Sequence, residues 1–194
     1  ADSLEKFRHE RLTKDELFDD HMPLEISIDL DEENKLLTIT DTGIGMTRDE
    51  LVENLGTIAH SGSNSFLSEL AEAARNDVSL IGQFGVGFYS SFIVADKVTV
   101  LSRKAGEDSG EGVRWESDGG GEYSLEPVEK DTHGTEVVLH LKEAEKQYLN
   151  AWTIRSLISR YSDHIGFPIR MEEEVTGEEG EEKTLEWKDI NKAS

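Results

Sequence analysis

The pattern that most constrains the fold is an alternating apolar run that ends at an acidic residue followed by spaced glycines. Apolar and polar residues alternate along 26–30 and again along 37–39. Such alternation predicts a β-hairpin, because successive side chains of a strand point to opposite faces of the sheet. The second strand ends at Asp41, and Gly43 and Gly45 follow it. The sequence therefore predicts a sheet edge at which a strand turns sharply beside a carboxylate.

A second glycine group, GQFGVG at 82–87, directly precedes an apolar run with a helical pattern. Glycines let backbone N–H groups approach an anion closely, and a helix N-terminus adds partial positive charge. The order of these glycines differs from the GxGxxG of dinucleotide-binding folds, and the Gly-Lys-Ser/Thr of a P-loop is absent. The pattern disfavours both folds and leaves open either a packed turn or another kind of anion-binding loop.

The remaining segments alternate between helical and strand patterns. Thr47 and Glu50 have the spacing of a capping box, which predicts a helix that we expect Gly56 to end. Residues 143–165 predict a further helix, and we expect its Trp152 to pack in the core with the other large aromatic residues. Strand patterns occupy 97–103, 134–142, and two strands each in 112–128 and 167–190. The mixture predicts an α+β fold, a two-layer α/β sandwich in which helices cover a mixed, mostly antiparallel sheet.

Composition excludes several classes of function. The 194 residues include 42 acidic and 20 basic side chains, a formal net charge of −22. A phosphate backbone would be repelled, so we expect no nucleic-acid partner. No apolar run approaches the roughly 20 residues that span a bilayer, so we expect no membrane partner. The chain contains no cysteine, which excludes disulfides and thiolate metal sites and is compatible with a reducing cytoplasm.

Asp41 allows two interpretations. An aspartate before a turn commonly accepts a hydrogen bond from the backbone two residues on, as an Asx-turn. A carboxylate at the floor of a pocket can instead accept a hydrogen bond from the exocyclic amine of adenine, whereas guanine presents a carbonyl there. Gly43 and Gly45 would then let the backbone lie flat against the base, with Met46 as an apolar wall and the Thr135 hydroxyl on a neighbouring strand.

Five motifs carry a resemblance to a known family. They are DTGIGMT at 41–47, NLGTIAHSGS at 54–63, IGQFGVGFYSSFIVADKV at 81–98, GTEVVLHL at 134–141 and YSDHIGFPI at 161–169. Together they resemble the N-terminal ATP-binding domain of the bacterial-type heat-shock protein 90 chaperones. More broadly, the chain resembles the GHKL ATPases, which include type II topoisomerase subunits, mismatch-repair ATPases and histidine kinases. The resemblance implies a sandwich of the GHKL (Bergerat) type.

The resemblance also implies a role for each matching residue. Asp41 is the adenine acceptor, Thr135 supports it partly through water, and Gly45 and Met46 line the base. The pocket continues where a mobile lid begins, at Asn54 and Leu55, and this lid covers about 55–87. Backbone N–H donors to the phosphates are expected at Gly85, Val86, Gly87 and Phe88.

Two departures from the family pattern bear on catalysis. The family motif E-x-x-x-N-A-x-D is represented only by its last acid, Asp2, so the catalytic glutamate and the magnesium-binding asparagine fall before residue 1. We therefore expect no catalytic residue and no protein ligand for a metal in this chain. The lid positions where the family often carries lysine are His60 and Asn64.

The resemblance implies the ATP/ADP-binding domain of an ATP-dependent molecular chaperone that remodels client proteins. The expected ligands are ATP or ADP with Mg²⁺, and the expected partners are clients and co-chaperones of a longer, homodimeric, cytoplasmic protein. We expect residues 1–186 to form the nucleotide-binding domain, without its first helix and strand, as a monomer. Residues 187–194 would begin the connection to a middle domain. Two alternatives stay open: the domain of another GHKL ATPase, such as a topoisomerase subunit, and a nucleotide-binding module that does not hydrolyse ATP.

Overall fold

A computed structural model of the chain describes residues 2–13, 23–60, 91–161, 165–175 and 184–191, together with Phe88. Eight of its strands form one sheet. They are β1 (Ile26–Asp31), β2 (Leu36–Asp41), β3 (Ala95–Arg103), β4 (Gly112–Ser117), β5 (Tyr123–Val128), β6 (Gly134–Leu141), β7 (Ile169–Val175) and β8 (Thr184–Asp189).

The strands lie in the order β5-β4-β3-β6-β2-β1-β7-β8. Neighbouring strands are antiparallel except β1 and β7, which pair in parallel. The hairpin predicted from the first alternating run is β1–β2, in which Ile26 pairs with Asp41 and Asp31 with Leu36. A mixed, mostly antiparallel sheet was expected and is confirmed.

Four α-helices and two 3₁₀ segments complete the described elements. They are α1 (Asp2–Thr13), α2 (Arg48–His60), α3 (Ser91–Val94) and α4 (Ala151–Tyr161), with 3₁₀ turns at Ser109–Glu111 and Glu143–Leu149.

Two of the helix predictions were wrong in detail. Helix α2 continues through Gly56 to His60 instead of ending at the glycine. The single helix expected over 143–165 divides at Asn150, whose side-chain oxygen accepts a hydrogen bond from the Thr153 N–H at 3.2 Å. Such a bond is typical of a helix N-cap, so α4 starts afresh after the 3₁₀ segment.

Helices α2, α3 and α4 pack on one face of the sheet, which carries the main core. Strands contribute Ile28, Leu37, Val98, Val100, Trp115 and Leu139, and helices contribute Leu51, Leu55, Phe92 and Ile154. Trp115 and Phe167 are buried as expected, but the side chain of Trp152 is 73% exposed, so its assignment to the core was wrong. The inward position of α4 is held instead by Ile154.

Helix α1 packs elsewhere, against the turn that follows β2. Phe7 forms a small second core with Ile44 and Ala105, and Leu24 packs against it. The Ile44 N–H donates to the carbonyl of Ser3 at 3.2 Å. This packing brings the first turn of α1 to the end of β2.

Two further expectations concern the whole chain. The expected domain boundary after residue 186 lies within β8, which pairs with β7 along its length, and the domain limits stay a prediction. Among the helices that the structure describes, none is long and apolar enough to cross a membrane.

Candidate functional site

Three polar side chains lie next to one another where strands β2 and β3 end and the antiparallel strand β6 between them begins. Asp41 pairs with Thr135, and Thr135 pairs with Ser102 on its other side. Their common face is the one that carries the core, since Val98 and Val100 precede Ser102 at alternate positions and are buried. We call this group, with the turn 42–46, the Asp41 corner. Thr135 and Ser102 are buried, and Asp41 is half-buried.

The two oxygens of the Asp41 carboxylate have different surroundings. Oδ1 accepts hydrogen bonds from the Gly43 N–H at 2.9 Å and from the Ser3 hydroxyl at 3.3 Å. Oδ2 makes no hydrogen bond with any residue that the structure describes. The first contact is an Asx-turn. Both interpretations of Asp41 are therefore compatible, because one oxygen holds the turn while the other is left by the described residues to accept from a ligand.

The glycines around Asp41 are required by close approach of backbone segments. Gly45 has a φ of +71°, and a side chain there would place its Cβ 1.9 Å from the Arg103 carbonyl oxygen. Gly134 has a φ of +107°, and its Cβ would lie 2.2 Å from the carbonyl oxygen of Asp41. Packing alone accounts for both glycines. That Gly45 also lines a base stays a prediction.

The sequence pattern did not reveal Ser102, whose hydroxyl links the turn to β6 by hydrogen bonds. Its hydroxyl accepts the Met46 N–H at 2.8 Å, lies 3.1 Å from the Gly134 carbonyl oxygen, and lies 2.9 Å from the Thr135 hydroxyl. Its side chain is completely buried. Its position in the strand is the only signal in the sequence: Ser102 continues the inward-facing register of Val98 and Val100, where a polar group needs a partner.

Two further side chains hold the turn rigid. The Thr42 hydroxyl donates to the Pro23 carbonyl at 2.7 Å and accepts the Glu25 N–H at 2.9 Å. Nδ1 of His133 lies 2.7 Å from the carbonyl oxygen of Gly43, which can only accept, so Nδ1 carries a proton. Buried polar groups with several partners restrict the turn to one conformation.

Helix α2 begins directly beyond the turn and is tied to β3. The Thr47 hydroxyl accepts the Glu50 N–H at 3.2 Å, which confirms the N-terminal half of the predicted capping box. Lys104 Nζ lies 2.8 and 3.1 Å from the two carboxylate oxygens of Glu50. One turn further, Asn54 approaches the Met46 sulfur at 3.7 Å, whereas Leu55 is buried in the core.

Of the residues predicted to contact the phosphates, the structure describes only Phe88. Its ring packs edge-on against Trp115, with centroids 5.8 Å apart, and against Phe92 at 6.2 Å. Gly85, Val86 and Gly87 lie outside the described residues, and so does most of the predicted lid. The phosphate contacts stay a prediction. Within the described ranges, no group of three or more His, Asp or Glu side chains lies together.

Comparison with known proteins gives relatives along the whole chain. The chain is 50% identical over 194 residues to the "Chaperone protein HtpG" of Photorhabdus laumondii and 51% identical over 195 residues to that of Nitrosococcus oceani. It is 52% identical over 197 residues to that of Hydrogenovibrio crunogenus. All of this chain is covered in each case, but it spans only 31% of each relative.

A protein family matches residues 20–147, which include β1 to β6 and the entire Asp41 corner except its contact with α1. The match covers more than half of the chain. The chain therefore belongs to the histidine kinase-, DNA gyrase B-, and HSP90-like ATPases.

Proposed function

We propose that this chain is the ATP/ADP-binding domain of an ATP-dependent molecular chaperone that remodels client proteins. The relatives named as chaperones support the chaperone part of the proposal. One observation carries the binding part: no residue that the structure describes donates to Oδ2 of Asp41, which lies at the end of β2 next to Thr135. An acceptor held rigidly by its own turn suits recognition of an amine on a flat ring.

In this proposal the base lies against the turn 43–46, and the exocyclic amine of adenine donates to Asp41 Oδ2. Thr135 adds an acceptor on the adjacent strand, directly or through water. Met46 supplies an apolar wall, and its contact with Asn54 couples that wall to α2. The phosphates extend toward backbone N–H groups at 85–88.

The described residues of the Asp41 corner support binding of the nucleotide, and we assign none of them a catalytic role. Hydrolysis, dimerisation, client and co-chaperone binding and a cytoplasmic location are proposed for the longer protein, of which this chain spans about a third in its relatives. The net charge of −22 supports a partner other than nucleic acid.

Calorimetric titration with Mg-ADP tests the proposal on the Asp41→Asn variant. Asparagine keeps an oxygen for the Gly43 N–H, so the turn survives, but it places an NH₂ where Oδ2 accepted. We expect ADP affinity to fall about 10- to 100-fold, the usual cost of losing a hydrogen bond to a charged group. The matched control is Asp29→Asn on β1, an exposed aspartate whose substitution leaves affinity unchanged.

The same titration on the full-length protein separates two explanations of a negative result. Binding by the full-length protein alone would place part of the pocket outside this chain. Absence of binding in both, or equal affinity of wild type and Asp41→Asn, would overturn the proposal.

A further inference from the structure

We propose that Ser102 is a specificity-determining residue that orients the Thr135 hydroxyl, so that the Asp41 corner presents two hydrogen-bond acceptors and no donor to a nucleobase. The inference rests on the proposed nucleotide site and concerns how that site chooses its base. Ser102 acts through Thr135 and is a positioning residue.

Counting protons fixes the direction of each bond around Ser102. The Met46 N–H can only donate, so the Ser102 oxygen accepts at 2.8 Å. The Gly134 carbonyl can only accept, so Ser102 gives its single proton there, at 3.1 Å. The third contact, 2.9 Å to the Thr135 oxygen, then requires the proton of Thr135. All three bonds form together only when Thr135 is the donor.

No group on the next strand competes for these protons. On β4, the residue that pairs with Ser102 is Val113, which is apolar and buried. Ser102 itself is fully buried, so water does not replace its partners. A buried, fully bonded hydroxyl keeps its orientation, because turning it would leave a polar group without a partner.

The orientation of the Thr135 hydroxyl determines which groups of a base the corner can bind. With its proton directed at Ser102, Thr135 offers only lone pairs, and its register partner Asp41 offers Oδ2. An amino group carries two N–H donors and suits two acceptors. A carbonyl at the same ring position meets lone pairs on both sides and is disfavoured, since no proton can turn toward it. The corner therefore selects aminopurine over oxopurine by proton direction as well as by the charge of Asp41.

The test compares ADP with IDP, whose base has a carbonyl in place of the amine and carries a proton on the adjacent ring nitrogen N1. Wild-type protein is expected to prefer ADP strongly. In Ser102→Ala the Thr135 proton is released and can turn toward a carbonyl, so the ratio of the IDP to the ADP dissociation constant should fall about 10-fold. Thr135→Val, which keeps the volume but removes the acceptor, should lower the same ratio by weakening ADP alone.

Ser117→Ala is the matched control. Ser117 is also a buried serine, on β4, with bonds to the Glu122 carbonyl at 2.7 Å and the Gly119 N–H at 3.1 Å. We expect Ser117→Ala to lower stability about as much as Ser102→Ala while leaving the Asp41 corner unchanged. The ratio of the IDP to the ADP dissociation constant should therefore stay at the wild-type value. This control separates altered selectivity from a weakened fold.

The outcomes are distinguishable from those of the proposed function. If wild type binds ADP but Ser102→Ala keeps the wild-type ratio, or loses both nucleotides equally, the orienting role is overturned while the nucleotide site stands. Should Ser102→Ala fail to fold, an unchanged ratio in Thr135→Val would overturn it equally. If wild type binds neither nucleotide, the proposed function itself has failed.

Discussion

The three central strands β2, β6 and β3, with β4 beside them, carry polar groups on both faces, and the two faces use them differently. On the core face lies the Asp41 corner. On the opposite face, which no described helix covers, Thr99 lies between Glu116 and His140, with Arg114 beside Glu116. We call these four residues the outer cluster. Both groups are bonded across neighbouring strands, but the Glu116 carboxylate is paired with Arg114 and Lys97, whereas Asp41 has no ion pair among the described residues.

In the outer cluster the carboxylate has cationic partners. The Thr99 hydroxyl donates to Glu116 Oε2 at 2.7 Å, so His140 Nε2, at 3.1 Å, must donate to the Thr99 oxygen. Arg114 reaches the same carboxylate oxygen at 2.6 Å. Burial alone would raise the pKa of Glu116, but the Thr99 bond, Arg114 and Lys97 together lower that pKa below its ordinary value. Each group has a partner of complementary type, as expected where the network only stabilises the sheet.

The Asp41 corner is bonded internally, but its carboxylate has no cationic partner among the described residues. Its protons are directed toward Ser102 and the turn, and no described residue donates to Asp41 Oδ2. The comparison indicates that a polar cluster signals a ligand by a carboxylate that it leaves without a cation, since both clusters are hydrogen-bonded across neighbouring strands.

The largest effect is expected at Gly45. Alanine would force a side chain at φ +71° and place its Cβ 1.9 Å from the Arg103 carbonyl, against backbone that cannot move aside. We expect Gly45→Ala to lower the free energy of unfolding by about 3 kcal/mol and to abolish ADP binding. Urea denaturation and calorimetric titration measure the two consequences.

Gly110→Ala is the control for Gly45. A Cβ at Gly110 meets nothing within 4 Å, and Gly110 has no positive φ. Its substitution should change stability by less than about 0.5 kcal/mol. Equal tolerance of alanine at both glycines would show that the turn is looser than its contacts indicate.

A smaller effect, confined to stability, is expected from Thr99→Val. The variant keeps the shape of the side chain but deprives Glu116 and His140 of their shared partner, which should cost about 1–3 kcal/mol of unfolding free energy. Because the outer cluster faces away from the Asp41 corner, ADP affinity should not change. The control for stability is Ser124→Ala. Ser124 is an exposed serine on β5 that pairs with Glu116. A loss of ADP affinity in folded Thr99→Val would contradict the separation of the two faces.

Much of this architecture could be predicted because it is local. The alternation that predicts β1 and β2 also places Asp41 at a strand end, and the register confirms it opposite Thr135. Ser102 was missed because its partners come from residues 46, 134 and 135, which only the pairing of β3 with β6 brings together. A serine in a strand has no local pattern that reveals such partners.

Helix α4 shows the same limit for packing. The pattern over 143–165 predicts an apolar face but does not determine which residues of the helix face the core. The cap at Asn150 starts α4 at Ala151, and in this helix Ile154 faces the core. Trp152 is two positions before Ile154 and so points away from the core. The sequence pattern thus predicted a helix in this stretch but neither its first residue nor its buried face.

The smallest effect is a pH dependence that belongs to the outer cluster. Burial and the neighbouring Lys97 and Arg114 lower the pKa of His140 below its ordinary value of 6.5, and Glu116 offsets this only in part. The unfolded chain therefore binds a proton at His140 more readily than the folded one. Stability contributed by neutral His140 is present above pH 6.5 and is lost as pH falls below it.

His140→Gln isolates this contribution, because the glutamine amide can still donate to the Thr99 oxygen but does not titrate. We expect the slope of unfolding free energy against pH to be shallower in the variant as the pH falls below 6.5, by at most one proton, about 1.4 kcal/mol per pH unit. Glu116 acts in a separate window, since its lowered pKa confines its titration to below 4.5. Urea denaturation at half-unit steps of pH measures both slopes. Equal slopes would mean that His140 is no more difficult to protonate in the folded sheet than in the unfolded chain. The outer cluster would then not lower the pKa of His140, which contradicts the prediction.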